Sequence, residues 1–557
     1  MSETPPEEKE PQRPAKPPRL RVVGFADKAD VFAAISNALR QHASGMSEPA
    51  KPLLACCDHA AQLGAQSSII QERVLDPDFL AEFNAYYSRQ FANCGRYCLR
   101  VHFFRTQAQT GELPLEFLQR VDREQDYLGF ITLRPVGRSP VGASFLTPAD
   151  TDARIRCMDH FPVHVGGIRF DIIGTPFLQQ DNAVGACAQA SIWMALRTMR
   201  KREGDRAFDP AQISGAATRF SVAARILPNR AGLTWPQMLD AVRGAGYSPH
   251  QVRFTAVASS VHLATTQVRE AKRQIVVYLD SEIPVLLLLF PPPGGVGHAV
   301  VAIGYRFTAQ PAELDFQDIT LESKVGVQVP HAAGWVSELI VHNDNSGPYL
   351  PLLDVRVEKS YALEQAYSAI PLLPADVFLT GEEAMTIATN LWLSQIQDIT
   401  QEQSANEVAE FTQRFVVRLL LLEKRRLRAW AITSGVAPEV AEELRLGDLP
   451  RRVWAMEIHL RDEYANHAKE EARSVVGFYL LDSTGDDHTN TILMSFLNFP
   501  VFTELPTGVL LRSVDWDRVQ TQECPLLPPF RPINQSAKPP EPHIEVEPQG
   551  TAPVDNT

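Results

Sequence analysis

The chain has 557 residues, of which 45% are hydrophobic and 21% are charged, and its formal net charge is −13 at pH 7. This much apolar sequence excludes a wholly disordered protein, and the length suggests two to four domains of about 100–200 residues each. The acidic balance argues against a general nucleic-acid binder, which usually presents a basic face, so we expect no nucleic-acid partner.

The number of cysteines and the length of the apolar runs indicate the cellular compartment of the protein. The seven cysteines lack the paired Cys-x-x-Cys spacing of a zinc site, and their low number is typical of a reducing compartment. The apolar run at 283–290 is too short to cross a bilayer, and the N-terminus has no apolar signal-peptide core. We therefore expect a cytoplasmic protein with no membrane partner, no metal and no cofactor.

The two ends of the chain, 1–18 and 531–557, are rich in Pro and polar residues, and we predict that both are disordered. The first folded region, 19–150, carries mixed signals that indicate an α/β region. Its predicted helices and strands are a helix at 27–43, a helix at 76–92 with Asp76 or Asp78 as N-cap, and strands at 96–104 and 128–137.

The rest of the chain divides into a central region, 151–360, and a C-terminal α/β accessory region, 361–530. The order of patterns in the central region is strands, an apolar helix, further helices and strands again, which favours an α+β fold. The main predicted segments are β-like runs at 276–290, 297–307 and 337–344, helices at 380–399 and 404–430, and strands at 449–462 and 473–484.

A lone cysteine stands in the central region in QQDNAVGACAQASIWMALRTM, residues 179–199, where a loop of small and polar residues becomes an apolar run. A helix that is apolar nearly all round belongs in a core. Cys187 falls in its first turn, where unpaired N–H groups and the helix dipole favour a thiolate and lower the thiol pKa. The pattern predicts a buried structural thiol or, with a base nearby, a nucleophile.

A base is available in GGVGHAVVAIGYR, residues 294–306, where His298 opens a strand that is apolar on both faces. An imidazole in such a strand needs a buried hydrogen-bond partner. The surrounding glycines leave room for another chain to approach closely. We predict that His298 is the general base that accepts the proton of the Cys187 thiol.

A third group should orient the imidazole, and ELIVHNDNSGPY at 338–349 supplies candidates. Strand alternation puts Asp344 on one face and Asn343 and Asn345 on the other, and Asp344 is the first choice. Turn chemistry alone also explains the NDNSG sequence. An amide just before the nucleophile could stabilise an oxyanion, and Gln180 is favoured over Gln179 because it lies closer to Cys187.

Gln180, Cys187, His298 and Asp344 stand in the order found in the papain-like cysteine peptidase superfamily. Within it, the sequence resembles bacterial peptidases related to the double-glycine leader peptidases. The resemblance covers about 180–350. It departs from the family where Ala188 replaces a common Gly and where an insertion at 307–336 lengthens the interval from His to Asp. The motifs that carry the resemblance are CAQA at 187–190, Pro284-Val285 with its apolar run, and GHAVVAIGY at 297–305.

The resemblance implies a papain-like core, a central helix packed on an antiparallel sheet, with α/β extensions on both sides. It implies a thiol protease in which Cys187 attacks a protein or peptide substrate and water hydrolyses the thioester. Two alternatives stay open: acyl transfer to an amine, as in transglutaminases, and an inactive papain-like scaffold that binds proteins. The sequence leaves the oligomeric state undetermined.

Overall fold

A computed structural model describes most of the chain, and the predicted disordered ends lie outside the described residues. What it describes is a mixed α and β protein whose large sheets are antiparallel. The described residues are 20–26, 28–42, 50–90, 94–180, 187–203, 207–220, 232–254, 262–290, 297–311, 314–320, 326–358, 360–399, 405–466, 473–485, 491–496, 499–502 and 527–530.

The helices and strands are numbered in chain order. The α-helices are α1 (Lys28–His42), α2 (Lys51–Gln62), α3 (Pro77–Ala85), α4 (Pro114–Arg120), α5 (Cys187–Glu203), α6 (Pro210–Ala217), α7 (Trp235–Gly244), α8 (Thr265–Asp280), α9 (Gly381–Ile399), α10 (Ala405–Thr412), α11 (Lys424–Thr433), α12 (Pro438–Leu446) and α13 (Arg461–Asn466). The strands are β1 (Leu20–Gly24), β2 (Ser67–Val74), β3 (Cys98–Phe104), β4 (Tyr127–Leu133), β5 (Ser144–Leu146), β6 (Ala153–Ile155), β7 (Asp159–Val165), β8 (Ile168–Phe177), β9 (Tyr247–Pro249), β10 (Val252–Arg253), β11 (Val285–Leu289), β12 (His298–Phe307), β13 (Phe316–Thr320), β14 (Gly326–Pro330), β15 (Val336–Asn343), β16 (Gly347–Leu352), β17 (Ala366–Pro374), β18 (Phe415–Glu423), β19 (Arg452–Leu460), β20 (Val475–Asp482), β21 (Thr491–Phe496) and β22 (Phe499–Phe502).

The strands form three large sheets. The N-terminal sheet has the order β1-β2-β3-β4-β5-β8-β7 and therefore runs past the region boundary predicted near residue 150. The central sheet has the order β10-β17-β11-β12-β15-β16, with β6 paired to β12 and β9 paired to β17. The C-terminal sheet takes β18 to β22 in chain order, and β13 and β14 form a separate hairpin.

Several predicted elements are confirmed, including α1, β3, β12 and the helix α3, whose N-cap Asp76 accepts a hydrogen bond from the backbone N–H of Phe79 at 3.1 Å. Two predictions are wrong in part. Residues 276–280 end the helix α8 rather than begin a strand, and residues 415–423 form β18 inside what we predicted as one helix. Both segments are apolar runs buried on every side, and such runs fit either periodicity.

The central sheet and its helices position the site. Helix α5 packs against β12, β11 and β17 of that sheet and against β8 of the N-terminal sheet. Gly304 lets β6 approach β12, because an added Cβ would lie 2.2 Å from the carbonyl oxygen of Arg154. Within the described ranges, no helix has both the length and the apolar character that crossing a membrane requires.

Candidate active site

Cys187 is the first residue of α5, at the junction that the sequence predicted. The helix behind it is buried nearly all round, from Ala188 at 3% exposure to Met199 at 0%, which explains why its sequence is apolar on every face. A hydrogen bond of 3.1 Å from the Ser191 hydroxyl to the carbonyl oxygen of Ala299 fastens the helix to β12. The thiol is therefore presented from a rigid element.

The N-terminal region holds the same helix from its other side. Asp78, in the first turn of α3, accepts a hydrogen bond of 3.1 Å from the indole N–H of Trp193 and pairs with Arg197. Both partners lie on α5. The N-terminal sheet and its helices are thus part of the body that positions Cys187, a contribution that the sequence alone did not reveal.

His298 opens β12 and is 5% exposed. The Cys187 sulfur lies 4.0 Å from the carbonyl oxygen of Gly297, the residue directly before this histidine. The backbone N–H of Ala299, the residue directly after it, also interacts with the sulfur. The structure therefore brings the predicted nucleophile to the chain segment that carries the predicted base.

The imidazole of His298 is held by an amide. Its Nε2 donates to the side-chain oxygen of Asn343 at 3.0 Å, and that oxygen also accepts from the backbone N–H of Asn345 at 3.0 Å. Because an amide oxygen only accepts, Nε2 carries the ring proton and Nδ1 is unprotonated. The side-chain N–H of Asn345 lies 3.4 Å from Nδ1. The ring is thus in the tautomer that leaves Nδ1 able to accept a proton.

The expectation that Asp344 hydrogen-bonds this ring is corrected. Its Oδ1 is 3.6 Å from Nε2, which is too long for a hydrogen bond. Strand alternation failed because the register of β15 shifts between Val341 and Asn343 and the strand ends there. Asp344 and Asn345 belong to the turn that follows, so all three residues of the NDN sequence face His298.

Burial sets the protonation states of the site. Burial raises the pKa of the Cys187 thiol to about 12, and the negative charge of Asp344 adds to the rise. Burial also lowers the pKa of His298, although the hydrogen bond with Asn343 partly offsets this. The expected lowering of the Cys187 pKa is therefore wrong, because desolvation of the thiolate outweighs the backbone N–H groups around it.

Asp344 completes this neutral group. It is 0% exposed, and burial raises the pKa of its carboxyl group to about 8, although backbone N–H groups of Asp344 and Asn345 lower it in part. In the described part of the chain, no side chain hydrogen-bonds its carboxylate oxygens. At pH 7 the thiol, the imidazole and this carboxyl group are all mainly uncharged.

Aromatic side chains that the sequence did not single out line the site. Tyr361 stacks on the His298 ring with a centroid separation of 4.8 Å and an interplanar angle of 28°. Burial raises the pKa of Tyr361, and negative charge on Cys187 or Asp344 raises it further. Burial and negative charge on Cys187 likewise raise the pKa of Tyr367, whose ring packs on Phe290 with a centroid separation of 4.5 Å. No local pattern marks these residues.

The two glutamines before Cys187 have different surroundings. The side-chain oxygen of Gln179 accepts from the backbone N–H of Val141 at 3.0 Å, and its carbonyl accepts from Arg134 at 2.9 Å. Arg134 is itself in a buried ion pair of 3.1 Å with Glu82. Gln179 is therefore anchored to the N-terminal region, and half-buried Gln180 stays the predicted oxyanion donor. Residues 181–186, between Gln180 and the nucleophile, lie outside the described residues.

The described residues contain no cluster of three or more His, Cys, Asp or Glu that could hold a metal ion. What the arrangement offers is a thiol at a helix start, a neutral imidazole held by an amide, and a buried carboxyl group beside both. No family model, no curated protein and no solved structure matches the chain, so its geometry carries the functional argument.

Proposed function

We propose that this protein is a cysteine hydrolase that cleaves a peptide or isopeptide bond through a thioester on Cys187. The observation that carries the proposal is the contact of the Cys187 sulfur with the backbone around His298, whose ring Asn343 holds in the tautomer with an unprotonated Nδ1. A buried structural thiol needs neither an oriented histidine nor a buried carboxyl group beside it. Perturbed titratable groups gathered at one point are typical of catalytic sites.

The neutral resting state defines the order of proton transfer. His298 Nδ1 takes the proton of the Cys187 thiol while the sulfur attacks the carbonyl carbon, and an ion pair does not form beforehand. Gln180 and backbone N–H groups stabilise the oxyanion. The C–N bond then breaks, the imidazolium gives its proton to the departing amine, and a thioester remains. Water, deprotonated by the same imidazole, hydrolyses it and releases the acid and the thiol.

The proposal extends to the fold and the setting. A helix that carries the nucleophile and packs on an antiparallel sheet that carries His298 and Asn343 supports a papain-like core. We also propose a bacterial, cytoplasmic enzyme that acts on a protein or peptide. Six cysteines within the described ranges are free thiols, which suits a reducing compartment.

The test is digestion of a peptide library by the full chain, with new N-termini identified by mass spectrometry. We expect cleavage by the wild type and none by Cys187→Ser. The matched control is Cys94→Ser, which removes another half-buried thiol and should keep full activity. A parallel reaction with added primary amine separates acyl transfer from hydrolysis, because transfer yields amide products. A wild type that neither cleaves any peptide nor transfers an acyl group to the amine would overturn the proposal in favour of a binding scaffold.

A further inference from the structure

A cavity of about 350 Å³ lies between α8, the hairpin strand β13 and the first turns of α9. None of its lining residues belongs to the Cys187 site. Its size is within the range of sites for small molecules, about 300–1,000 Å³. Within the described ranges, its wall carries an N–H group without an acceptor and a carboxylate oxygen without a donor, and these two features indicate what it binds.

One end of the cavity presents an N–H donor that lacks an acceptor in the described part of the chain, beside the guanidinium of Arg273, which already pairs with Asp315 at 3.3 Å and donates to the carbonyl oxygen of Phe316 at 2.7 Å. His331 is 1% exposed, and its Nδ1 accepts a hydrogen bond of 3.0 Å from the backbone N–H of Ala333. Its Nε2 therefore carries the proton, and this N–H has no acceptor among the described residues. Burial and the positive charge of Arg273 lower the pKa of His331 to about 3, so the ring is a neutral donor beside a guanidinium.

The other end presents acceptors and a negative charge. Glu382, in the first turn of α9, accepts the hydroxyl of Tyr278 at 2.7 Å and lies 3.3 Å from His250, both through Oε2. Its Oε1 is buried and, across the described part of the chain, has no donor, and the same holds for the amide oxygen of Gln274. Burial raises the pKa of Glu382, but its partners, His250 first, outweigh this and leave it lowered, so the carboxylate is charged.

Arg273 lies beside the first end of the cavity. Val277, which lies against Gly381 next to Glu382, marks the second end. The two residues are one helical turn of α8 apart, or ~6 Å along the axis. Gln274 lies between them.

Val277 and Met385 give the cavity an apolar wall. An anion alone would leave the Glu382 oxygen without a donor, and a cation alone would leave the His331 N–H without an acceptor. A buried polar atom without a partner carries the full cost of its lost hydration, so a ligand that satisfies both ends is favoured.

We propose that this cavity binds a free α-amino acid, with its carboxylate accepting from the N–H of His331 and its ammonium group donating to Glu382. The side chain of the ligand then lies against Val277 and Met385. The proposal does not rest on the hydrolase activity proposed above, since the two sites share no residue.

The test is calorimetric titration of the full chain with each of the twenty proteinogenic amino acids. We expect at least one to bind saturably. Its analogues that lack either the amine or the carboxylate should bind at least about tenfold more weakly, because each lacks one charge-assisted hydrogen bond. Binding of no amino acid, or equal binding of the truncated analogues, would overturn the proposal and indicate a cavity filled by water.

Variants locate the binding. Glu382→Gln removes the charge that holds the ammonium group and should weaken binding about tenfold. Glu442→Gln, which removes an exposed carboxylate on α12, is the matched control and should bind as the wild type does. Gln274→Ala is a second cavity variant in case Glu382→Gln fails to fold. Undiminished binding in every folded cavity variant would place the ligand elsewhere and contradict the proposal.

Discussion

Asp280 and Asp344 are both buried, at 4% and 0% exposure, but the protein surrounds them in opposite ways. Asp280 faces two guanidinium groups, with its oxygens 3.1 Å from Arg156 Nε and 2.7 Å from Arg418 Nε. It also accepts the hydroxyl of Tyr305 at 2.7 Å. Asp344 faces a neutral imidazole at 3.6 Å and a thiol.

The surroundings of Asp280 form an anchor between two sheets. Arg418 on β18 also pairs with Glu457 on β19 at 3.1 Å, and Glu457 contacts His459 at 3.2 Å. Since Asp280 ends α8 and Tyr305 lies on β12, the network connects the central sheet to the C-terminal sheet. Removing charges from water is costly, and here that cost is offset by opposite charges in good geometry.

Asp344 has no such compensation, and its raised pKa is the result. A carboxyl group without a cation, placed beside a thiol and a histidine, lowers stability when it ionises and is the kind of perturbed group found at catalytic sites. The contrast teaches that a buried carboxyl group paired with cations, as in Asp280, forms a structural joint. The buried carboxyl group beside uncharged partners, Asp344, lies in the candidate active site.

The largest expected effect on stability tests the anchor. Asp280→Asn removes the charge that compensates Arg156 and Arg418, and we expect a loss of about 3–5 kcal/mol in the free energy of unfolding. Urea unfolding measures it. Asp171→Asn is the control, because Asp171 is in an exposed pair with Arg169 and should cost at most about 1 kcal/mol. Equal effects of the two substitutions would remove the distinction between anchor and surface pair.

The next effect tests Asp344. Because its pKa rises from about 3.8 to about 8 on folding, the wild type loses stability as the pH increases between these values. We expect Asp344→Asn to lack this loss, so that it gains on the wild type by a few kcal/mol between pH 4 and pH 9. Urea midpoints at both pH values measure the gain. A difference between variant and wild type that stays constant with pH would show that Asp344 is ionised in the folded protein.

A kinetic effect of intermediate size tests which residue holds the imidazole. Asn343→Ala removes the acceptor at Nε2, and we expect kcat to decrease about 10–100-fold on the peptide that the library assay identifies. Asn345→Ala should have a smaller effect, because its contact with Nδ1 is longer, at 3.4 Å. A larger loss in Asp344→Asn than in Asn343→Ala would return the orienting role to the aspartate.

The smallest expected effect concerns the aromatic ring on His298. Tyr361→Phe keeps the stacked ring and should change kcat less than about twofold, whereas Tyr361→Ala removes a stacking contact of about 1 kcal/mol and should lower kcat several-fold. Steady-state kinetics on the same peptide compares the two variants. A phenylalanine variant as slow as the alanine variant would assign the effect to the hydroxyl group.

Local patterns were sufficient to predict the elements that carry the site. The apolar run after Cys187, the apolar strand after His298 and the strand that leads to Asn343 all form as predicted, because each has one strong local signal. The choice among Asn343, Asp344 and Asn345 needed the structure. A register shift and a turn at the end of β15 override the alternation on which the prediction relied.

Tertiary burial explains the remaining failures. The sequence placed Cys187 at a helix N-terminus and from this predicted a lowered pKa, but the opposite shift follows from the surrounding core. The same limit applies to Tyr361, to Asp78 behind α5, and to His331, whose roles depend on contacts with distant segments. Apolar runs buried on both faces, such as β18, are ambiguous from sequence because a buried helix and a buried strand both have apolar residues at every position.

The central claim is that Cys187 is a nucleophile whose proton passes to His298 during attack. Its most direct test is acylation by p-nitrophenyl acetate, with the modified residue located by peptide mapping after an acid quench. The account predicts a thioester on Cys187 in the wild type and a rate lower by about 100-fold or more in His298→Ala. Acetylation of other cysteines instead, or an equal rate in the His298→Ala variant, would contradict it.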